Sequence, residues 1–230
     1  MDPVTHVSSG LLGGRLFQTQ REKTPLFIAV LGAVLPDIDN FVGYSDPGLY
    51  LIHHRGITHS LLGGFLLSVV CGFLMKLFLK KRSFKRNHLI IYLLVLTHIF
   101  LDLVTSYGTQ VLLPFTDRRF TLESVFIIDP FFTVLLLVIF FVSAKRSFRV
   151  RLFFYLLVFL YPMTNFGLSK IYENILERDF NGKTVHVSSA PFSPIFWKVI
   201  VEDGEKLHFA SSKLFSKVGV KDFEVYNSLS

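Results

Sequence analysis

Cysteine, tryptophan and charge are all scarce in this chain. Cys71 is the single cysteine among 230 residues, which excludes a disulfide framework and a thiolate metal cluster. Set in an apolar run, it reads as a small packing residue. Charged residues make up 18% of the chain, where a soluble domain carries about a quarter. Residues 1–23 lack the apolar core and small-residue cleavage site of a cleavable signal peptide, so insertion is expected to rely on internal helices. The net charge of +7 does not point to nucleic acid. The basic residues fall in short blocks between apolar runs, which is the pattern of membrane topology.

Oil is abundant: 51% of residues are hydrophobic, and there are 26 Phe. A bilayer crossing takes roughly 20 mostly apolar residues. "LLGGFLLSVVCGFLMKLFL" (61–79) fits with one charge, Lys76, and "HLIIYLLVLTHIFLDLVTSYG" (88–108) fits in length. "PFFTVLLLVIFFVSA" (130–144), extended back to Val125, and "LFFYLLVFLYPMTNFGL" (152–168), with a bend expected at Pro162, complete the set. The run before "LPDIDNF" is short for a crossing, so residues 24–43 suit a re-entrant or interrupted helix. The expected fold is an all-α polytopic membrane bundle of four to five transmembrane or re-entrant helices, residues 1–168. A small β-rich extramembrane cap is expected over residues 169–230: "TVHVSS" alternates, and "FWKVIV" and "KLHFAS" flank the hairpin signal "EDGE". Trp197 suits either a headgroup anchor or the core of that cap. The basic blocks 80–86 and 145–151 are expected to be cytoplasmic. Connections 44–60 and 109–128 and the tail then lie on the opposite side.

Against this background the ionisable residues of the apolar segments stand out, because charge within a bilayer is costly and by default marks function. His98 and Asp102 are four apart on a helix and share one face. They read as two ligands of one metal, as a ligand and the carboxylate that orients it, or as a buried hydrogen-bonded pair. "LIHHRGITHS" holds His53, His54 and His59, and Gly56 permits a turn that brings His54 and His59 together. Arg55 between them suits a phosphate, or snorkelling to headgroups. Asp37 and Asp39, unpaired at this depth, would repel each other and lose solvation; a divalent cation removes both costs. His6 is the weakest candidate by chemistry, and as a ligand it requires residues 1–36 to double back. His88, His186 and His208 read as structural, while Glu123 and Asp129 are spare candidates.

These residues in this order, "TH…G" near the start, then "LPDID", "HRGITHS" and "HIFLD", resemble the signature of the membrane-bound metal-dependent hydrolases, also called LexA-binding, inner-membrane-associated hydrolases. The resemblance covers roughly residues 1–165, and the string at 54–60 is its most specific part. A more distant likeness is to the zinc-dependent phospholipase C and single-strand nuclease superfamily, with its His-x3-Asp pair. Carried over by position, this implies the pair His98 and Asp102, with His6, Asp37 or Asp39, and His59 as further ligands. Taken with the residues' own chemistry, the expected metal set is His6, Asp37, Asp39, His54, His59, His98 and Asp102. The chain lacks that superfamily's amino-terminal Trp and its later His-x3-Glu pair, so one or two ions, zinc above all, are expected rather than three.

The resulting expectation is a bacterial inner-membrane hydrolase whose site faces away from the cytoplasm, acting on a phosphoester such as a phospholipid. Asp37 would bind metal or serve as base, His54 would act as ligand or acid, and Arg55 would neutralise the phosphate. Intramembrane His and Asp also suit a divalent-metal transporter, although the paired broken helices of two repeated halves are missing. A non-catalytic membrane anchor with a partner-binding tail is the third reading.

Overall fold

The computed structural model describes residues 1–18, 26–44, 47–78, 83–180, 183–204, 206–216 and 223–227. Residues 80–82 of the first basic block and Glu205 of the hairpin signal lie outside them.

Helix α1 (Pro3–Leu16) begins with Pro3 in its first turn and the Asp2 side chain accepting the Thr5 N–H, an N-cap that satisfies an otherwise orphaned donor. It lies antiparallel against α2 (Leu26–Val34). A Cβ at Gly10 would sit 2.3 Å from the Ala33 Cβ, and one at Gly14 2.6 Å from that of Ala29. Small residues on both faces let the two backbones approach, as they do within membranes. Residues 1–34 therefore return His6 to the end of the bundle where Asp37 lies. With nine residues, α2 is too short to cross a bilayer. It runs into a 3-10 helix (Leu35–Tyr44), followed by α3 (Pro47–His53), a 3-10 turn (Ile57–His59), α4 (Leu61–Phe78), α5 (Phe84–Leu103), α6 (Pro130–Val142) and α7 (Phe148–Asp179).

Among the described residues, three helices are long and apolar enough to cross a membrane: α4, α5 and α7. The expected span at 130–144 is instead a helix of 13 residues, apolar but short. Serine and basic residues end it before a crossing is complete. The span expected at 152–168 is part of a 32-residue helix that runs through Pro162 without a break. α5 is the central helix, with 56% of its apolar window buried against 22% for α4 and α7. Its Ile90, Ile91 and Leu94 pack on Ile28 and Ala29 of α2, while Leu101 joins Leu12, Phe132 and Leu136. Leu62, Phe65, Leu66 and Phe73 of α4 point outward, the surface that bilayer hydrocarbon would cover.

The chain ends in an antiparallel meander, β1 (Val185–Ser189), β2 (Phe196–Asp203), β3 (Lys206–Lys213) and β4 (Glu224–Asn227), in sequence order. The β2–β3 turn pairs Asp203 with Lys206, and Gly204 takes a φ of +60°, a conformation glycine adopts without strain. Val185, Val187, Trp197, Val199 and Val201 form one face and pack on Tyr172 and Leu176 of α7. Trp197 is fully buried and donates its indole N–H to the Pro194 carbonyl at 2.7 Å. It is a core residue of the sheet.

Candidate metal centre

Four side chains from three elements converge where α5 ends. Asp37 comes from the first 3-10 helix, His59 from the second, and His98 and Asp102 from consecutive turns of α5. One ligand atom from each lies within 4.8 Å of the others. The Nε2 atoms of His59 and His98 are 3.1 Å apart. Asp102 Oδ2 lies 3.1 Å from the first and 3.3 Å from the second, and Asp37 Oδ1 lies 3.6 Å and 3.7 Å from them. A tetrahedral ion with bonds of about 2.0–2.2 Å places its ligand atoms about 3.3–3.6 Å from one another. The spacing fits.

The surrounding groups explain why these atoms face inward. His98 Nδ1 lies 2.5 Å from the Ala33 carbonyl oxygen, which can only accept, so Nδ1 carries the proton and neutral Nε2 presents a lone pair. His59 Nδ1 lies 3.1 Å from Asp39 Oδ2, again an acceptor, and the same tautomer results. With both Nε2 atoms unprotonated, two lone pairs and two carboxylates face one point, a donor set suited to a cation. Asp102 Oδ2 is buried and faces the two Nε2 atoms, which leave it without a donor when unprotonated, whereas Oδ1 receives Arg55 Nη2 at 2.9 Å and the Met1 amino group.

Asp39 therefore stands behind the centre. Its carboxylate accepts the Arg55 N–H at 2.9 Å and the Thr58 hydroxyl at 3.0 Å, and it lies 3.1 Å from His54 Nδ1. It holds His59 in the way second-layer carboxylates hold metal-binding imidazoles. His54 is tied to Asp39 and stacks on Tyr50; it is not one of the four converging residues. His6 is fully buried and stacks on His98 with ring centroids 3.7 Å apart, its Nε2 3.3 Å from Asp102 Oδ1. It walls the group from the side. Arg55 is buried, pairs with Asp102 and donates to Thr105 Oγ1 at 2.7 Å, so the cation of this segment serves Asp102 rather than Asp37 or Asp39. Arg55, not Gly56, takes the left-handed backbone conformation, with φ +60°, an unusual state for a bulky residue. Gly56 is needed for space, since a Cβ there would meet the His53 carbonyl oxygen at 2.7 Å. Asp129 caps α6 and accepts from Tyr161 and Ser193, well accounted for as a structural acid. His88 lies 3.1 Å from Ser68 Oγ, also a structural arrangement.

The first turn of α4 holds residues 57–59 in place. Ser60 Oγ accepts the Gly63 N–H at 2.9 Å and caps that helix. A Cβ at Gly63 would fall 1.8 Å from the Ile57 carbonyl oxygen. Gly63→Ala is expected to push the 3-10 turn off α4 and His59 with it. Metal affinity should fall at least tenfold, with about 1–3 kcal/mol of stability lost, read by metal titration and thermal denaturation.

Burial disfavours charge on His59, but the carboxylates of Asp102, Asp37 and Asp39 outweigh it and push its pKa up to about 10. Burial also raises Asp39, yet the imidazoles of His54 and His59 bring it below the usual carboxylate range. In metal-free protein a proton on His59 thus does part of the work of a cation. Its unfolded pKa is about 6.5, so this contribution is complete below about pH 6.5 and is lost as pH rises through about 10. The melting temperature of chelator-treated protein is expected to fall from pH 7 to pH 10. Metal-loaded protein should stay nearly flat over the same range.

The protein-family model described as YdjM inner membrane protein matches residues 1–171. The chain is 33% identical over 139 residues to the protein named Uncharacterized protein YfhP of Bacillus subtilis (strain 168), covering 57% of this chain and 42% of that one. It is 34% identical over 106 residues to Inner membrane protein YbcI of Escherichia coli (strain K12), covering 41% of this chain and 56% of that one. The chain spans about half the length of these curated relatives. No solved structure matches it. None of these names states a reaction, so they leave the metal-dependent hydrolase resemblance without further support. The family's name and the three apolar helices support a bacterial inner-membrane location. With most of its length matched, including every residue of the converging group, the chain belongs to the YdjM inner membrane protein family.

Proposed function

We propose that the protein is an integral membrane metal-dependent hydrolase acting on a phosphoester, a lipid phosphoester being the substrate nearest to hand. The observation that carries this reading is the convergence of two imidazole Nε2 atoms and two carboxylates, with Asp102 Oδ2 buried 3.1 Å and 3.3 Å from the two nitrogens. Zinc suits a mixed N/O set of four. When bound, such an ion polarises a phosphoryl oxygen and lowers the pKa of a bound water toward neutrality.

The chain's own residues divide the remaining work. His59, His98 and Asp102 are fully buried and rigidly held. Asp37 is the exception, with a side chain 23% exposed, so the centre opens on its side. Water and substrate would approach past Asp37, which is placed to take the proton of an attacking water or to complete the ligand set. Asp39 and the Ala33 carbonyl fix the imidazole tautomers. Arg55 fixes Asp102 and adds a positive field for an anionic phosphoryl group. The basic first turns of α5 and α7 lie at the other end of the bundle, and the positive-inside rule makes a centre facing away from the cytoplasm the reading in keeping with them.

The test uses purified protein in detergent with chromogenic phosphate mono- and diesters and a fluorescent phospholipid. Expected is turnover that a chelator abolishes and added zinc restores, with Asp37→Asn lowering kcat at least a hundredfold while metal stays bound. Zinc uptake into sealed proteoliposomes without hydrolysis of any ester would replace this reading with transport.

A further inference from the structure

A groove of about 370 Å³ formed by α1, α5 and α7 runs from the end of α1 up to Thr97 of α5. Its walls are apolar: Leu16 and Phe17 from the end of α1, Leu93 and Leu96 from α5, Leu152 and Phe159 from α7. The polar groups that line it, the Thr97 and Tyr155 hydroxyls, are hydrogen-bonded to each other, so they ask nothing of an occupant. Arg86 on α5 is about 24 Å from Asp102 at 1.5 Å per residue. The basic end of the groove is thus remote from the metal centre, while its inner end reaches Thr97, the residue before His98.

Arginines gather at the end of α1 that supplies the groove's lining residues Leu16 and Phe17. Arg15 and Arg151 immediately precede Leu16 and Leu152 in the chain. Arg151 donates to the Arg15 and Gln18 carbonyls, Arg86 donates to the Phe17 carbonyl, and Arg15 lies over the Phe140 ring and donates to its carbonyl. These bonds cap the last turn of α1, but capping leaves charge over. A helix C-terminus offers about half a unit of negative charge, against two full charges on Arg15 and Arg151 alone. Neither pairs with a carboxylate among the described residues. The segments around them, 12–18, 83–92 and 143–155, contain no aspartate or glutamate. Arg151 Nε is buried and has no hydrogen-bond partner. A hydrocarbon slot between membrane helices thus opens beside an excess of guanidinium, the arrangement in which basic pockets hold anionic headgroups.

We infer that this groove binds an anionic phospholipid of the leaflet on the basic side, one acyl chain lying between α5 and α7 and the phosphate meeting Arg15 and Arg151. The site is independent of the proposed hydrolysis: the lipid here is a resident ligand whose phosphate lies at the end of the bundle away from the metal centre. It holds α1, and hence His6, against the long helices.

The experiment compares dioleoyl phosphatidylglycerol with dioleoyl phosphatidylcholine, which share acyl chains, added to delipidated full-length protein in maltoside detergent. Native mass spectrometry and thermal denaturation are the readouts. Phosphatidylglycerol is expected to be retained at least tenfold better and to raise the melting temperature by several degrees. Arg15→Gln should reduce that preference, and Arg151→Gln should abolish it. Leu96→Trp, which fills the slot, should lower retention of both lipids. Unchanged metal content serves as the check that each variant is folded. Equal retention of the two lipids by the wild type would overturn the inference. So would a preference that survives in Arg15→Gln and Arg151→Gln together, unchanged retention in Leu96→Trp, or a melting shift from inorganic phosphate as large as that from phosphatidylglycerol.

Discussion

Replacing Asp102 is expected to have two separable consequences. Asp102→Ala removes a ligand atom and strands the Arg55 guanidinium, which is buried and paired with it at 2.9 Å. Breaking a buried pair by deleting one partner costs about 3–5 kcal/mol. The metal-free variant should therefore melt well below the metal-free wild type, and elemental analysis should find no stoichiometric metal. Asp102→Asn has nearly the same shape and keeps an acceptor for Arg55, so it should lose metal and turnover while retaining much of that stability. The chelator-treated proteins make this comparison clean, because metal binding itself adds folding free energy. If Asp102→Asn binds metal like the wild type, Asp102 is only an ion-pair partner and the centre is misassigned.

A graded effect is expected at Asp39. It touches His59 at Nδ1, the nitrogen facing away from the converging group. Losing a residue that orients a metal-binding imidazole typically costs 10–100-fold in affinity. Asp39→Ala should fall in that range, measured by competition with a chelating dye, and should still bind metal at millimolar excess. It also releases the Arg55 N–H and the Thr58 hydroxyl, so turnover should fall further than metal occupancy does. A complete loss of binding, equal to that of Asp102→Ala, would instead make Asp39 a ligand. Asp37→Asn provides the contrast on the open side of the centre.

The difference between these two aspartates shows where sequence reasoning stops. Both are candidates for the same task, since each is a carboxylate in an apolar setting. A 3-10 helix has about three residues per turn, so residues two apart point about 120° away from each other. One therefore reaches the front of His59 and the other its back. Nothing in "LPDIDNF" states that the segment is a 3-10 helix rather than a strand or a turn. His98 and Asp102 are easier. α-Helical periodicity alone places them on one face, and hydropathy alone marks their segment as a helix, although the helix is Phe84–Leu103 and stops five residues short of the expected end at 108. The need for glycine at 63 emerges only once Ile57 folds back on α4.

Membrane spans are legible where length and hydropathy agree, as in α4 and α5. They are less so for 130–144, where the apolar run outlasts the helix, and for α7, whose helix runs past the apolar run to carry Tyr172 and Leu176 beneath the sheet. From its neighbours alone, Arg55 suits a phosphate, a headgroup or an acid equally well. Its pairing with Asp102 joins residues 47 positions apart, and no local pattern encodes that contact.

By itself, then, the sequence determined the apolar helices, the hairpin of the tail and the inventory of acids and imidazoles, because these depend on periodicity and composition along a few consecutive residues. Only the tertiary structure decided which nitrogen of each histidine faces inward, which aspartate stands in front and which behind, and which carboxylate the buried arginine neutralises. Those are relations between side chains brought together from separate helices. Their energies depend on distances of a few ångströms that the chain acquires only on packing.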